Sequence, residues 1–451
     1  MEVLIESLNS VIRDYILVIA LGAIGIFFTF YTKGVQLREL PQGLKKTFSL
    51  KGKGDDDGIS SFQALAVSIA AQIGTGNVVG IATAIMAGGP GAIFWLWIMA
   101  FFGSATIFAE AVLAQTYREK DSDGQWIGGP AYYIKNGVKN KSLANFLSKF
   151  FAIMIVIALG FFGLMTQSNS IASSFNSAFP QIPLIAIGIV IAIVATLVFA
   201  GGIQRIANFA ELVVPIMATL YIVFTIIALV KFRSNIIPAF KLIFSSAFTP
   251  TAAAGGAVGY GFKKALSYGF SRGLFSNEAG MGSTPHAHAT AEVKHPVEEG
   301  LVAFVGVLIT TIICTASALI LLVTNPFKEG LNGALLTQEA FEIAFGRGGK
   351  LMLTIALAFF AFTTIIGWYY YGETNINYLF GKKGIWPYRI FVIIALVLGA
   401  TLKIEMVWSL SDLFNSFMVL PNIIALFLLR NEVKKSLIDY ENLVGIDSNL
   451  E

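Results

Sequence analysis

The stretch SIAAQIGTGNVVGIATAIMAGG, residues 68–89, decides how this chain is read. It is apolar enough for a bilayer, yet its middle reads Gly74-Thr75-Gly76-Asn77. Glycine inside a helix costs roughly 1 kcal/mol relative to alanine. In hydrocarbon, freed backbone groups cost more unless something satisfies them. The tetrapeptide therefore points to local unwinding. Unwinding would leave N–H groups at the start of one half-helix and C=O groups at the end of the other. The first set, with the helix dipole, suits a carboxylate; the second suits a cation. A zwitterionic amino acid and a sodium ion both fit such a break. Close helix packing is the competing explanation, because Gly-x-Gly also lets helices approach.

The rest of the chain supplies the membrane. Of 451 residues, 56% are hydrophobic and only 13% charged, with a mean hydropathy of +0.73; a soluble protein carries roughly 25% charged residues. The expected fold class is an all-α polytopic membrane protein. Eleven spans are expected, at about 12–31, 60–88, 91–118, 149–177, 182–201, 206–231, 253–271, 297–323, 350–371, 387–401 and 405–429. The net charge of +4 calls for no nucleic acid. It comes from Lys and Arg gathered in segments 32–59 and 119–148, at Lys382-Lys383, and at Arg430, Lys434 and Lys435. All of these fall on one side of an eleven-span chain, which the positive-inside rule makes the cytoplasm. The protein is then expected in the cell membrane with its N-terminus outside and its C-terminus inside. Lys231, Arg233 and Lys241 run against that bias. The first apolar run follows Glu2 and Glu6 rather than a basic region, so no cleavable signal is expected. Cys314 is the only cysteine, which excludes an intrachain disulfide. The segment 128–137, GGPAYYIKNG, is expected to form a short helix lying at the interface.

Eleven is one plus ten, which invites a repeat. The expected organisation is a peripheral helix and loop over 1–59, a five-helix block over 60–232, an inverted five-helix block over 253–430, and a cytoplasmic tail over 431–451. Each block opens with a glycine-rich, polar-interrupted helix, 60–88 in the first and 253–284 in the second. Paired interrupted helices in two halves are the best sequence pointer to a transporter site.

Polar residues in other spans keep the first break company. Gln167 lies one turn beyond Gly163 on the same helix face. Thr363 and Thr364 are followed one turn later by Trp368. Paired hydroxyls are good oxygen ligands for a hard cation, although helical Thr also bonds back to its own carbonyls. An aromatic such as Trp368 is as much at home in a core as in a pocket.

Three longer motifs are more specific: GGPGAIFWLWIMAFFG at 88–103, WIGGPAYYI at 126–134, and RGLFSNEAGMGSTPHAHA at 272–289. With GTGNVVGIATA before the first, they resemble the alanine or glycine:cation symporter family over essentially the full length. Leu96 stands where that family usually has Met. The resemblance implies LeuT-type architecture, with two inverted five-helix repeats and a discontinuous first helix in each. It implies that the backbone at Gly74, Thr75 and Gly76, with Asn77 beside it, holds a substrate carboxylate. The Gln72 carbonyl would face the substrate ammonium. Sodium would be held by the carbonyls of Ala70, Ile73 and Phe360 and the hydroxyls of Thr363 and Thr364. Phe162, Ile365 and Trp368 would line the side-chain pocket, and Phe270 in the second broken helix would cap it. Gln167 falls near where other members of this architecture place a tyrosine hydroxyl against the carboxylate.

Other signals are weaker. HAHATAEVKH, 286–295, lacks the spacing of a zinc helix and is expected to be a polar cytoplasmic loop. Glu110, Glu211, Asp412 and Lys263 lie in or near spans, where ionisable groups are functional candidates or snorkelling pairs. Arg272, six residues before Glu278, invites a gate ion pair between the two. An ion channel needs a pore-lining filter, and an intramembrane enzyme needs an acid or metal cluster facing a cavity; neither pattern occurs, nor does a Walker A motif. The expected function is symport of alanine, or glycine, with sodium by a monomer that is not an enzyme. Proton-coupled symport is the alternative.

Overall fold

Helices, most of them apolar, account for most of the described residues. The computed structural model describes residues 8–9, 11–49, 58–248, 261–328, 330–402 and 404–445. The first half holds α1 (Val18–Tyr31), α2 (Leu40–Ser49), α3 (Ser61–Gln72), α4 (Val79–Gly88), α5 (Ala92–Thr116), α6 (Pro130–Gly137), α7 (Lys141–Ile157), α8 (Leu164–Ala178), α9 (Leu184–Phe199), α10 (Gly202–Lys231) and α11 (Ile236–Phe248). The second holds α12 (Phe262–Asn277), α13 (Pro285–His288), α14 (Pro296–Thr324), α15 (Gly333–Phe345), α16 (Arg347–Phe380), α17 (Ile385–Thr401), α18 (Ile404–Leu428) and α19 (Arg430–Leu443).

Among the described residues, 7 helical segments are long and apolar enough to cross a membrane, with α1, α4 and α9 as shorter apolar helices. The expected eleven crossings are not reproduced as a count: α1 and α9 are short, and the expected second span is divided into α3 and α4. The expected seventh span, 253–271, lies partly outside the described residues. Helices α2, α11, α13 and α15 fall where connections were expected.

The outside of the bundle is apolar. α9 and α10 expose Val190, Ile193, Leu197, Leu212, Ile216 and Leu220. Such continuous exposed hydrocarbon is stable only in lipid. The polar residues turn inward instead: Gln167, Ser168, Asn169 and Ser170 on α8 are all buried.

Local chemistry sets the helix ends that matter. Ser60 and Gln63 form a capping box that starts α3. Pro296 in the first turn and Glu298 and Glu299 just behind it start α14. Between α7 and α8 the helix widens to a π-turn over Ala158–Gly163, without interrupting the crossing. The helix α6 forms where expected and is packed into the protein: Pro130 to Ile134 are buried, Tyr133 bonds Asn422 of α18, and Tyr132 packs edge-on against Tyr378. Its tyrosines find hydrogen-bond and ring partners inside the protein.

Candidate substrate and cation site at two helix breaks

The first break is where the glycines are. α3 ends at Gln72, and Ile73 turns off the helix with ψ 77°. Gly74 is extended, Thr75–Asn77 make one 3-10 turn, and α4 starts at Val79. Asn77 holds the turn together. Its Oδ1 accepts from Gly74 N at 3.2 Å, while its Nδ2 donates to Ser276 O at 3.3 Å and meets Cys314 Sγ at 3.3 Å. Thus one side chain caps the break and ties it to the end of α12.

Glycine at 74 is required by space rather than by backbone angle. A Cβ there would lie 2.4 Å from Thr364 Oγ1. α16 packs against α3 at this point, so Thr364 reaches the exposed end of α3. Its Oγ1 stands 2.9 Å from Ala70 O and 3.0 Å from Phe360 O, and Thr363 Oγ1 is also 3.0 Å from Phe360 O. Both threonines therefore back-bond within their helix, and Thr364 alone also reaches across to α3. A hydroxyl has one proton, which two carbonyls must share. Gathered carbonyl and hydroxyl oxygens of this kind suit a hard monovalent cation. Ile73 is where the chain leaves α3, its N–H donating to Ile69 O at 2.7 Å.

On the other side of the break, Thr75 N donates to Gln167 Oε1 at 3.2 Å. Gln167 Nε2, Thr75 Oγ1, Asn277 Nδ2 and both side-chain polar atoms of Gln72 are buried without a partner. An unsatisfied buried polar atom costs about 1–3 kcal/mol. Several around one helix break are what a polar ligand would satisfy. The Gln72 carbonyl accepts from Gly74 N at 3.1 Å. Its side chain points towards Gly306 of α14, since a Cβ on that glycine would lie 3.5 Å from Gln72 Oε1.

Trp368 is fully buried, with Ile365 on the same helix. Gly163 makes room for the indole: a Cβ at 163 would sit 2.7 Å from its ring. The ring that meets Trp368 is Phe275, edge-on at 5.8 Å between centroids. Phe270 packs instead near Trp95, at 6.4 Å, and beside Gly22. Phe162 is half-buried and stacks on Phe414 at 5.4 Å.

Within the expected interrupted stretch 253–284, the described residues open after α12. α12 runs unbroken through Phe270 and Arg272 to Asn277. The chain then opens at Glu278 (φ 52°), with Gly280 and Gly282 also at positive φ, before α13. Gly269 and Gly273 are contact glycines against α5. A Cβ at 269 would lie 2.5 Å from Ala92 O, and one at 273 would lie 3.2 Å from Met99. Arg272 does not pair with Glu278. Its guanidinium stands 3.6 Å from Asp412 and over the Trp408 ring. Glu278 instead accepts from Trp368 Nε1 at 2.6 Å and from Ser283.

The histidine segment is also not a solvated loop. His286 and His288 are completely buried. His288 Nδ1 pairs with Glu299 at 2.7 Å and its Nε2 with Ser68 at 3.1 Å, while His286 Nε2 meets Asn375 at 2.8 Å. Polar sequence here is absorbed by polar partners from α3, α14 and α16, which no local pattern announces.

With this geometry in hand, the comparisons decide the family. The model of the sodium:alanine symporter family matches residues 1–448. The chain belongs to that family. The sodium/alanine symporter AgcS of Methanococcus maripaludis is 43% identical over 437 residues, covering 95% of each chain. The "Probable sodium/glutamine symporter GlnT" of Bacillus subtilis is 41% identical, over 98% of this chain and 91% of that protein. An uncharacterized transporter of Haemophilus influenzae is 41% identical over 97% and 96%. Among solved structures, MhsT in complex with L-phenylalanine superposes with a TM-score of 0.61 at 14% identity, over 86% of this chain and 93% of that one. A substrate-bound Na+-coupled sialic acid symporter gives 0.51 at 12%, over 88% and 82%. At these identities the likeness is one of fold, and that fold is the LeuT type. The family member described here is a multi-pass membrane transporter and not an enzyme.

Proposed function

We propose that the chain is a sodium-coupled symporter that brings a small neutral amino acid, alanine or glycine, into the cell by alternating access. One observation carries the reading. Around a single helix break, Gln72, Thr75 and Gln167 carry unpartnered buried polar atoms; these residues lie on, or hydrogen-bond to, the short stretch whose Ala70 oxygen meets Thr364, with the Phe360 and Thr363 oxygens beside it. Gly74, Thr75 and Gly76 would take the carboxylate, with Gln167 beside it. The Gln72 carbonyl would face the ammonium group. The oxygen group, with Ile73, would take sodium. Phe162, Ile365 and Trp368 bound the side-chain space, and the bulk of Trp368 favours alanine over glutamine. Phe270 belongs to this account only as packing behind α12; Phe275 takes the place at the indole.

The two blocks 60–232 and 253–430 would rock against each other around the breaks. The basic segments would face the cytoplasm, with the N-terminus outside, and the unit would be a monomer. Glu110 and Glu278 are fully buried beside the second break, and on that ground proton coupling is the second reading. Proteoliposomes loaded to give a sodium gradient or a proton gradient separately distinguish the two. Labelled alanine is expected to accumulate under the sodium gradient alone. Accumulation driven only by protons would sink the sodium reading, and preferential displacement of alanine by glutamine would sink the substrate.

A further inference from the structure

Glu278 has no exposed surface and stands in the left-handed conformation that ends α12. A non-glycine residue there is strained by about 1–3 kcal/mol, and such strain persists only where the surroundings impose it. Two donors converge on its carboxylate: the Trp368 indole at 2.6 Å and the Ser283 hydroxyl. From the other face, Glu110 of α5 fastens the loop that Glu278 begins. Its oxygens accept from Gly280 N at 3.0 Å and Gly282 N at 2.9 Å. Asn422 of α18 joins Glu110 to Gly280 O. Among the described residues, neither carboxylate takes part in an ion pair. Here an acid serves as a fixed hydrogen-bond acceptor, placed by a braced loop.

What it fixes is the indole. Trp368 is held edge-on by Phe275 and fits over Gly163, but those contacts are apolar and permit the ring to turn. Only the Glu278 bond anchors its N–H. Without that acceptor the buried N–H would be unsatisfied, at about 1–3 kcal/mol, and the ring would reorient to find another partner. We infer that Glu278 is a positioning residue: by holding the Trp368 indole it sets the size limit of the substrate pocket. This rests on the reading that Trp368 bounds that pocket. Glu278 itself touches no substrate atom in the account. Its counterpart in sequence is no more than an acid among glycines, NEAGMG.

The test is competition of unlabelled leucine and glycine against labelled alanine in proteoliposomes. Trp368→Phe removes the N–H and keeps an aromatic ring. Glu278→Ala removes the acceptor, and Glu278→Gln keeps an acceptor oxygen without the charge. Leucine should gain on alanine about tenfold in both Trp368→Phe and Glu278→Ala, the scale of a methylene-sized change in a pocket. The double variant should gain no more than either single one. Glu278→Gln should keep the parent's ranking. A parental ranking in Glu278→Ala, additive effects in the double variant, or a Glu278→Gln as relaxed as Glu278→Ala would each overturn the inference. Where Glu278→Ala does not fold, Trp368→Phe with Glu278→Gln decides it: a parental ranking in Trp368→Phe refutes the anchor. Trp368→Ala separates the two layers. An unchanged ranking there removes Trp368 from the pocket, whereas a relaxed ranking there beside a parental Trp368→Phe defeats only the role of Glu278.

Discussion

Gly74 and Gly76 share a tetrapeptide but not a reason for being glycine. A methyl at 74 would press against Thr364 Oγ1 at 2.4 Å, whereas one at 76 would meet Phe275 Cδ1 at 3.3 Å, with Phe275 O and Ser276 Oγ at 3.5 Å. Gly74→Ala therefore strikes the oxygen group, and Gly76→Ala only crowds the amides or favours rewinding. Gly76→Ala should express and melt nearly as the parent does, with alanine binding weakened about tenfold, or about 1.4 kcal/mol. Calorimetric titration beside a thermal melt checks this. Parental affinity, or loss of the fold, would leave the cradle unsupported. The threonines separate in the same way. Thr363 bonds only within α16 and to Met217 at 3.9 Å, while Thr364 also reaches Ala70. Thr364→Val should raise the sodium requirement of uptake more than Thr363→Val does; equal and small effects would remove both hydroxyls from the cation's surroundings.

At the scale of helices, both breaks depend on side chains from elsewhere. Asn77 joins the first break to Ser276 at the foot of the second. Asn77→Asp keeps the cap on Gly74 N but loses the donor to Ser276 O and adds a buried charge. It should lower stability by about 1–3 kcal/mol, read as a fall in melting temperature in detergent, and a parental melt would show that the two breaks are not tied there. The first break was legible in sequence because QIGTGN sets two glycines and an amide inside an apolar run. The second was legible only as the long stretch 253–284, because glycine count does not reveal glycine use. Gly269 and Gly273 admit the backbone and side chains of α5, while Gly280 and Gly282 supply positive φ. The acid that fastens the second loop, Glu110, lies 170 residues before Gly280, beyond any local pattern. The same limit hid the burial of His286 and His288, whose partners come from three separate helices.

For the whole molecule, the family and its fold were readable from composition and three long motifs, and so was the short helix α6, whereas α2, α11, α13 and α15 were not. The proposed carboxylate cradle at 74–76 and the proposed sodium site at Ala70 and Thr364 meet at one break, where a Cβ on Gly74 would lie 2.4 Å from Thr364 Oγ1. Coupling between such sites is reciprocal, so each ligand must tighten the other by the same factor. The most direct measurement is the affinity of the purified protein for alanine, by calorimetry, in sodium and in potassium at equal ionic strength, for the parent and for Thr364→Val. The account predicts that sodium tightens alanine binding at least about tenfold in the parent, a coupling of about 1.4 kcal/mol, and that Thr364→Val loses most of that gain while its affinity in potassium is unchanged. Equal alanine affinity in sodium and potassium in the parent would contradict it.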